Sequence, residues 1–203
     1  GSSGPDDGPL ADDLAQLVER VRQVGLQARL AVRWEAEPRL SERVKRAELP
    51  RFEALARADG PADYRVFDHP DHPKQLGGAD EDMVAVRYIE PEHRNTGALG
   101  VNALSIEAAA DAIRRAQRSG QPSASRGFRL TQEPGEQVGV VIYLAMYQGP
   151  ADAEAQRLVS FRGVGFVTLR MGDAMNAVMQ PHQGPLNWCL VEREDPQRLR
   201  RLA

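Results

Sequence analysis

The chain has 203 residues, 41% of them hydrophobic, and a formal net charge of −3 from 26 basic and 29 acidic side chains. That suffices for one large domain or two small subdomains, and without a basic excess it argues against nucleic-acid binding. Cys189 is the only cysteine, which excludes an internal disulfide and a thiolate metal cluster.

Cys189 itself is expected as a small buried hydrophobe on a strand. No run approaches the ~18–20 apolar residues of a membrane span, and no signal-peptide core is present. Residues 1–8, opening Gly1-Ser2-Ser3-Gly4, read as an unordered tag remnant, and the natural protein is expected to extend past both ends.

From Leu10 the apolar positions Leu10, Leu14, Leu17, Val21, Val24, Ala28 and Ala31 alternate by four and three. This heptad seam predicts a long helix. Leu14, Leu17, Val21 and Val24 are the expected dimer contact, although a helix packed on its own domain shows much the same stripe. Glu37-Pro38 interrupts it, and a second helix is predicted from Ser41 through Phe52, Leu55 and Ala56 to the stop at Asp59-Gly60-Pro61, with a possible kink at Pro50.

Tyr64 to Phe67 then reads as a short strand, Asp68 to Asp80 as an exposed loop, and Met83 to Ile89 as a strand ending at Pro91. Ser105 as N-cap, the stripe Ile106, Ala109, Ala110, Ile113 and Ala116, and Gly120 as the stop define the clearest helix. Phe128 to Gln132 and Val138 to Tyr147 are predicted to form a hairpin around Pro134-Gly135. A strand from Gln156 or Arg157 to Arg170, a short helix Asp173 to Met179 and a strand Leu186 to Glu192 complete the order. Pro196 to Ala203 is polar and offers no closing strand. The fold class is α+β, an antiparallel sheet with crossing helices on a stalk.

Val86-Arg87-Tyr88-Ile89-Glu90-Pro91, Ala98-Leu99-Gly100-Val101-Asn102, Ser119-Gly120, Leu130-Thr131-Gln132, Gly139, Tyr143, Tyr147 and Gly163-Val164-Gly165-Phe166-Val167 follow one another over about ninety residues. In that order they resemble the CHASE family, the extracytoplasmic sensory domains of histidine kinases and nucleotide cyclases. The resemblance implies a stalk helix below two stacked PAS-like sheets: stalk and second helix in 9–60, a membrane-distal ligand-binding subdomain in 61–155, and a membrane-proximal one in 156–203 that looks incomplete. The distal sheet would use the strands from Tyr64 to Tyr147 and the proximal one those from Arg162 onward.

Along the Val138 strand, Gly139, Val141, Tyr143, Ala145 and Tyr147 share one face. That face reads either as a pocket wall, with small residues leaving space and phenols offering surface, or as ordinary core. Relatives that bind cytokinins take pocket residues from the matching strands, which carries Phe128, Gly139, Val141 and Tyr143 over as wall residues, with Leu99 of the Ala-Leu-Gly motif beside them. Those relatives also hold the adenine with an acid, for which Glu81 or Asp82 lies nearest here. Asn102 stands where many relatives have Asp; it could grip a planar ligand or serve as a turn residue. Ala85 replaces the family's usual Pro, and Ala145-Met146-Tyr147 its Pro-Val-Tyr, so ligand identity does not transfer.

Asp68-His69-Pro70-Asp71-His72 holds donor types suited to zinc, yet its spacing suits a solvated loop better, and no metal is expected. Gly-x-Ser-x-Gly, Walker and His-Glu-x-x-His motifs are absent, so no catalytic residue and no cofactor are assigned. The reading is a periplasmic input domain of an inner-membrane receptor, homodimeric and binding a small ligand of the adenine type or another planar molecule. A histidine kinase is the first expected effector and a diguanylate cyclase or phosphodiesterase the second; a ligand-free dimerisation and protein-interaction module is the rival.

Overall fold

The computed structural model describes residues 29–30, 41–70, 81–89, 96–130, 138–179, 189–195 and 198–203. The heptad seam with Leu14, Leu17, Val21 and Val24 lies outside them. Among the described residues, nine strands form one mixed sheet: β1 Arg29–Leu30, β2 Ser41–Lys45, β3 Phe67–Asp68, β4 Asp82–Val86, β5 Val101–Asn102, β6 Ser123–Ala124, β7 Phe128–Arg129, β8 Val138–Tyr147 and β9 Phe161–Arg170. The path runs β3-β5-β4-β2-β9-β8-β6, with β1 also on β9 and β7 also on β8. Only the β3–β5 pairing is parallel. Two further strands, β10 Val191–Asp195 and β11 Arg198–Arg201, pair separately.

Among the described residues the α-helices are α1 Leu49–Ala58, α2 Glu107–Ser119, α3 Glu154–Ser160 and α4 Met171–Met179. On α2, Ala109, Ala112, Ile113 and Ala116 are buried in one core cluster with Val141, Tyr143 and Ala145 of β8. Full burial of a side chain such as Ile113 stabilises by about 1.5–3 kcal/mol. The Tyr147 hydroxyl donates to the carbonyls of Ala116 and Gln117, 3.2 and 2.8 Å away, and so ties β8 to the end of the helix. Gly120 ends α2 in the left-handed conformation, at φ +70°.

Several expectations are corrected. Ser41–Lys45 is a strand, paired with β4 from Ser41↔Val86 to Lys45↔Asp82; pairing with a distant segment overrides a local pattern that also suits a helix. The helix starts at Leu49, with Pro50 in its first turn, where a missing N–H costs nothing, so Pro50 introduces no kink. Phe67–Asp68 replaces the strand expected over Tyr64 to Phe67. Residues 156–160 belong to α3, where Gln156 reaches back to the Ala153 amide at 3.0 Å.

Ser105 is not the N-cap of α2; Ile106 holds that place, while the Ser105 hydroxyl donates to the Asn102 carbonyl and accepts from the His69 amide. Asp68 is in β3 and His69 is buried, so the exposed loop does not begin there. Cys189 is exposed and precedes β10. The polar C-terminal stretch does supply a strand, β11. The expected separation into a distal and a proximal sheet does not hold for β9, which pairs with β8 along its whole length, from Gly139↔Arg170 to Tyr147↔Phe161.

Candidate functional site

Residues opposite one another in antiparallel strands share a face of the sheet. The pairs Ser41↔Val86, Ser41↔Val164, Val141↔Thr168, Tyr143↔Phe166 and Phe128↔Gly139 therefore put all these side chains on the face that α2 covers. Between that face and the helical layer lies a cavity of about 50 Å³. From the sheet it is lined by Ser41, Val86, Val101, Phe128, Val141, Tyr143, Phe166 and Thr168; Ile89, Ala98, Ala103, Ile106 and Leu130 supply the rest. A buried water needs roughly 10–15 Å³ on the same measure, so the space accepts a handful of water-sized groups.

Among the described residues the lining contains three hydroxyls, those of Ser41, Tyr143 and Thr168, and no charged side chain. Ser41 is 1% exposed and its Oγ has no hydrogen-bond partner. Tyr143 stacks obliquely on Phe166, with ring centroids 6.2 Å apart, and burial pushes its phenol well above the ordinary range.

Of the wall residues taken from the sequence, Phe128, Val141 and Tyr143 are brought together on the cavity. Gly139 shares their face but does not line it: the space over Gly139 is filled by Leu130. Leu99 packs against the surrounding core without reaching the cavity.

The candidate acids also lie elsewhere. Asp82 is ion-paired with Arg43 at 2.7 Å and Glu81 with Arg46 at 3.1 Å. Asp82 is four residues along β4 from Val86, roughly 13 Å at strand rise.

Asn102 is fully buried and used structurally. Its Oδ1 accepts from the Val84 and Leu104 amides, at 3.1 and 3.2 Å, and its Nδ2 donates to Asp68 Oδ1 at 2.8 Å. One amide thus joins β3, β4 and the turn after β5.

Two motif segments acquire physical reasons. Gly100 has φ +82° and lies against the Arg65 carbonyl, leaving no room for a Cβ, while its own amide donates to the Val86 carbonyl. Arg87 is buried with its guanidinium 5.2 Å from the Tyr64 ring and 4.7 Å from the Tyr88 ring, and pairs with Asp59. The Val86-Arg87-Tyr88 run therefore sends Val86 to the cavity and its arginine into an aromatic clamp.

Sequence reasoning missed Ser41, which it put in a helix, and Phe166 and Thr168, which it assigned to another sheet. Alternation alone puts Val164, Phe166 and Thr168 on one face. Only the pairing shows which layer that face meets.

Among the described residues no helix is long and apolar enough to cross a membrane, and no cluster of three or more potential metal ligands is present. No curated protein matches this chain. The CHASE domain family model matches residues 35–198, a span that includes every cavity-lining residue. The chain belongs to the CHASE family, the extracellular sensory domains of signalling receptors.

Proposed function

We propose that this domain is the periplasmic input of a bacterial inner-membrane receptor, most simply a histidine kinase, and that it binds a small molecule in the cavity under α2. It binds and transmits, with catalysis left to an effector elsewhere in the receptor. The observation that carries this reading is the composition of the cavity wall: β2, β4, β8 and β9 meet the turns leading into α2 there. An occupant touching both layers favours one arrangement of sheet against helix, and that differential affinity is what a two-state receptor transmits. The stalk read from the seam Leu14 to Val24 would carry the shift to the membrane, pairing with its twin, below PAS-like sheets.

A thermal-shift screen of neutral metabolites, amino acids, organic acids and purines tests the binding. A ligand at a hundred times its Kd adds ~2.7 kcal/mol of stability. Ala103 lines the cavity and is 5% exposed, so Ala103→Leu fills the space and is expected to abolish the shift in a folded protein. A hit that survives this substitution would place binding elsewhere.

The small size of the cavity favours a second reading, a ligand-free module that dimerises and contacts a periplasmic protein. In that case Ala103→Leu stabilises the domain by filling a void, and no screened compound raises its melting temperature.

A further inference from the structure

The cavity places an orphaned hydroxyl in a mostly apolar wall. Ser41 is 1% exposed, lines the cavity, and its Oγ finds no hydrogen-bond partner. Its cross-strand partners Val86 and Val164 are both in the core cluster on this face, so the serine side chain points the same way. A buried hydroxyl left unpaired is a cost that native proteins normally avoid or assign to a bound molecule.

Among the described residues, Ser41, Tyr143 and Thr168 bring polar side-chain atoms to the wall, and each hydroxyl can bond one small polar group in the space. A charged ligand is disfavoured. Among the described residues the lining has no cation for a carboxylate and no anion for an amine, and burying an unpaired charge costs far more than burying a neutral dipole. Glu81 and Asp82 lie away from the cavity and are engaged with arginines, Asp82 with Arg43 and Glu81 with Arg46. The space, about 50 Å³, suits an occupant of a few heavy atoms.

Resting on the cavity reading above, we infer that the ligand is a small uncharged molecule, a short-chain alcohol or ketone in kind. Its oxygen bonds Ser41 Oγ while its carbons fill the apolar remainder. The sensor is then selective by exclusion, because ionised metabolites of similar size find no charged partner among the described lining residues.

The test titrates the ¹⁵N-labelled chain separately with isobutanol, butanone, butyrate and adenine, following the amide signals of Ser41, Val141 and Thr168. Isobutanol and butanone are expected to move those signals at millimolar concentration, and butyrate and adenine to leave them in place. Ser41→Ala should weaken isobutanol about two- to tenfold, the loss of one neutral hydrogen bond. It should also raise the melting temperature of the free protein, because it removes an unpaired buried oxygen; a serine with a structural partner would lower it. Ser41→Cys, which keeps a weak donor, gives a second variant and should fall between the two.

Absence of an isobutanol shift, equal affinity in Ser41→Ala, or a drop in its melting temperature each overturns the inference. Binding of butyrate or adenine that Ala103→Leu abolishes also overturns it, yet leaves the cavity itself as the binding site. A screen without any Ala103→Leu-sensitive hit removes the cavity reading as well.

Discussion

Leu130 occupies the space above Gly139: a Cβ at Gly139 would stand 2.5 Å from both Leu130 Cδ1 and Cδ2. The glycine is therefore small to admit a leucine, and the leucine, not the glycine, faces the cavity. Gly139→Ala is expected to destabilise the domain by about 1–3 kcal/mol through overpacking. In a Leu130→Ala background the same change should cost little, giving a coupling above about 0.5 kcal/mol. Urea denaturation of the four chains measures it, and strictly additive losses would show that the two side chains do not compete.

Asn102 supplies two acceptor contacts and one donor contact to three separate segments. Asn102→Ala should cost about 1–3 kcal/mol for each buried amide left unsatisfied. Asn102→Asp keeps the acceptor but sets a second carboxylate against Asp68, and should also destabilise. Adding Asp68→Asn restores a donor facing an acceptor, so the double variant should recover most of the loss. A double variant no more stable than Asn102→Asp alone would contradict this account of the site.

Burial holds the Tyr143 phenol well above its ordinary range, and Tyr64 is raised likewise by burial and then by Glu42, Glu53 and Tyr88. A raised phenol favours the neutral form in the folded state. Its contribution to stability is thus complete below the unfolded phenol pKa of about 10 and is lost as pH climbs toward the folded value. Urea midpoints should fall as pH rises above about 10. Tyr143→Phe, with no proton to lose, should show a shallower fall; an equal slope in wild type and variant would refute the assignment.

The heptad seam is expected to pair two copies of the chain through Leu14, Leu17, Val21 and Val24. Sedimentation of the wild type and of a Leu17→Glu, Val21→Glu variant checks it. The wild type should dimerise at micromolar concentration and the variant should stay monomeric. A monomeric wild type at high micromolar concentration counts against the pairing.

Much of this domain follows from local pattern. The α2 stripe and its glycine stop, the ten residues of β8 and the inward set Val141, Tyr143 and Ala145 are consequences of side-chain periodicity and of the φ > 0 preference of glycine, both of which act within a few residues. The motif order by itself likewise carries the resemblance to the CHASE family. What periodicity cannot carry is partner choice. Ser41–Lys45 is short and polar enough to suit a helix, and it becomes a strand because the distant strands β4 and β9 offer it hydrogen bonds, through pairs such as Ser41↔Val86 and Ser41↔Val164. The same long-range pairing merges β9 with β8 in one sheet, brings Ser41, Phe166 and Thr168 to the cavity, and puts Leu130 over Gly139. Those relations depend on register between distant segments, and register is set only when the whole apolar face is buried at once.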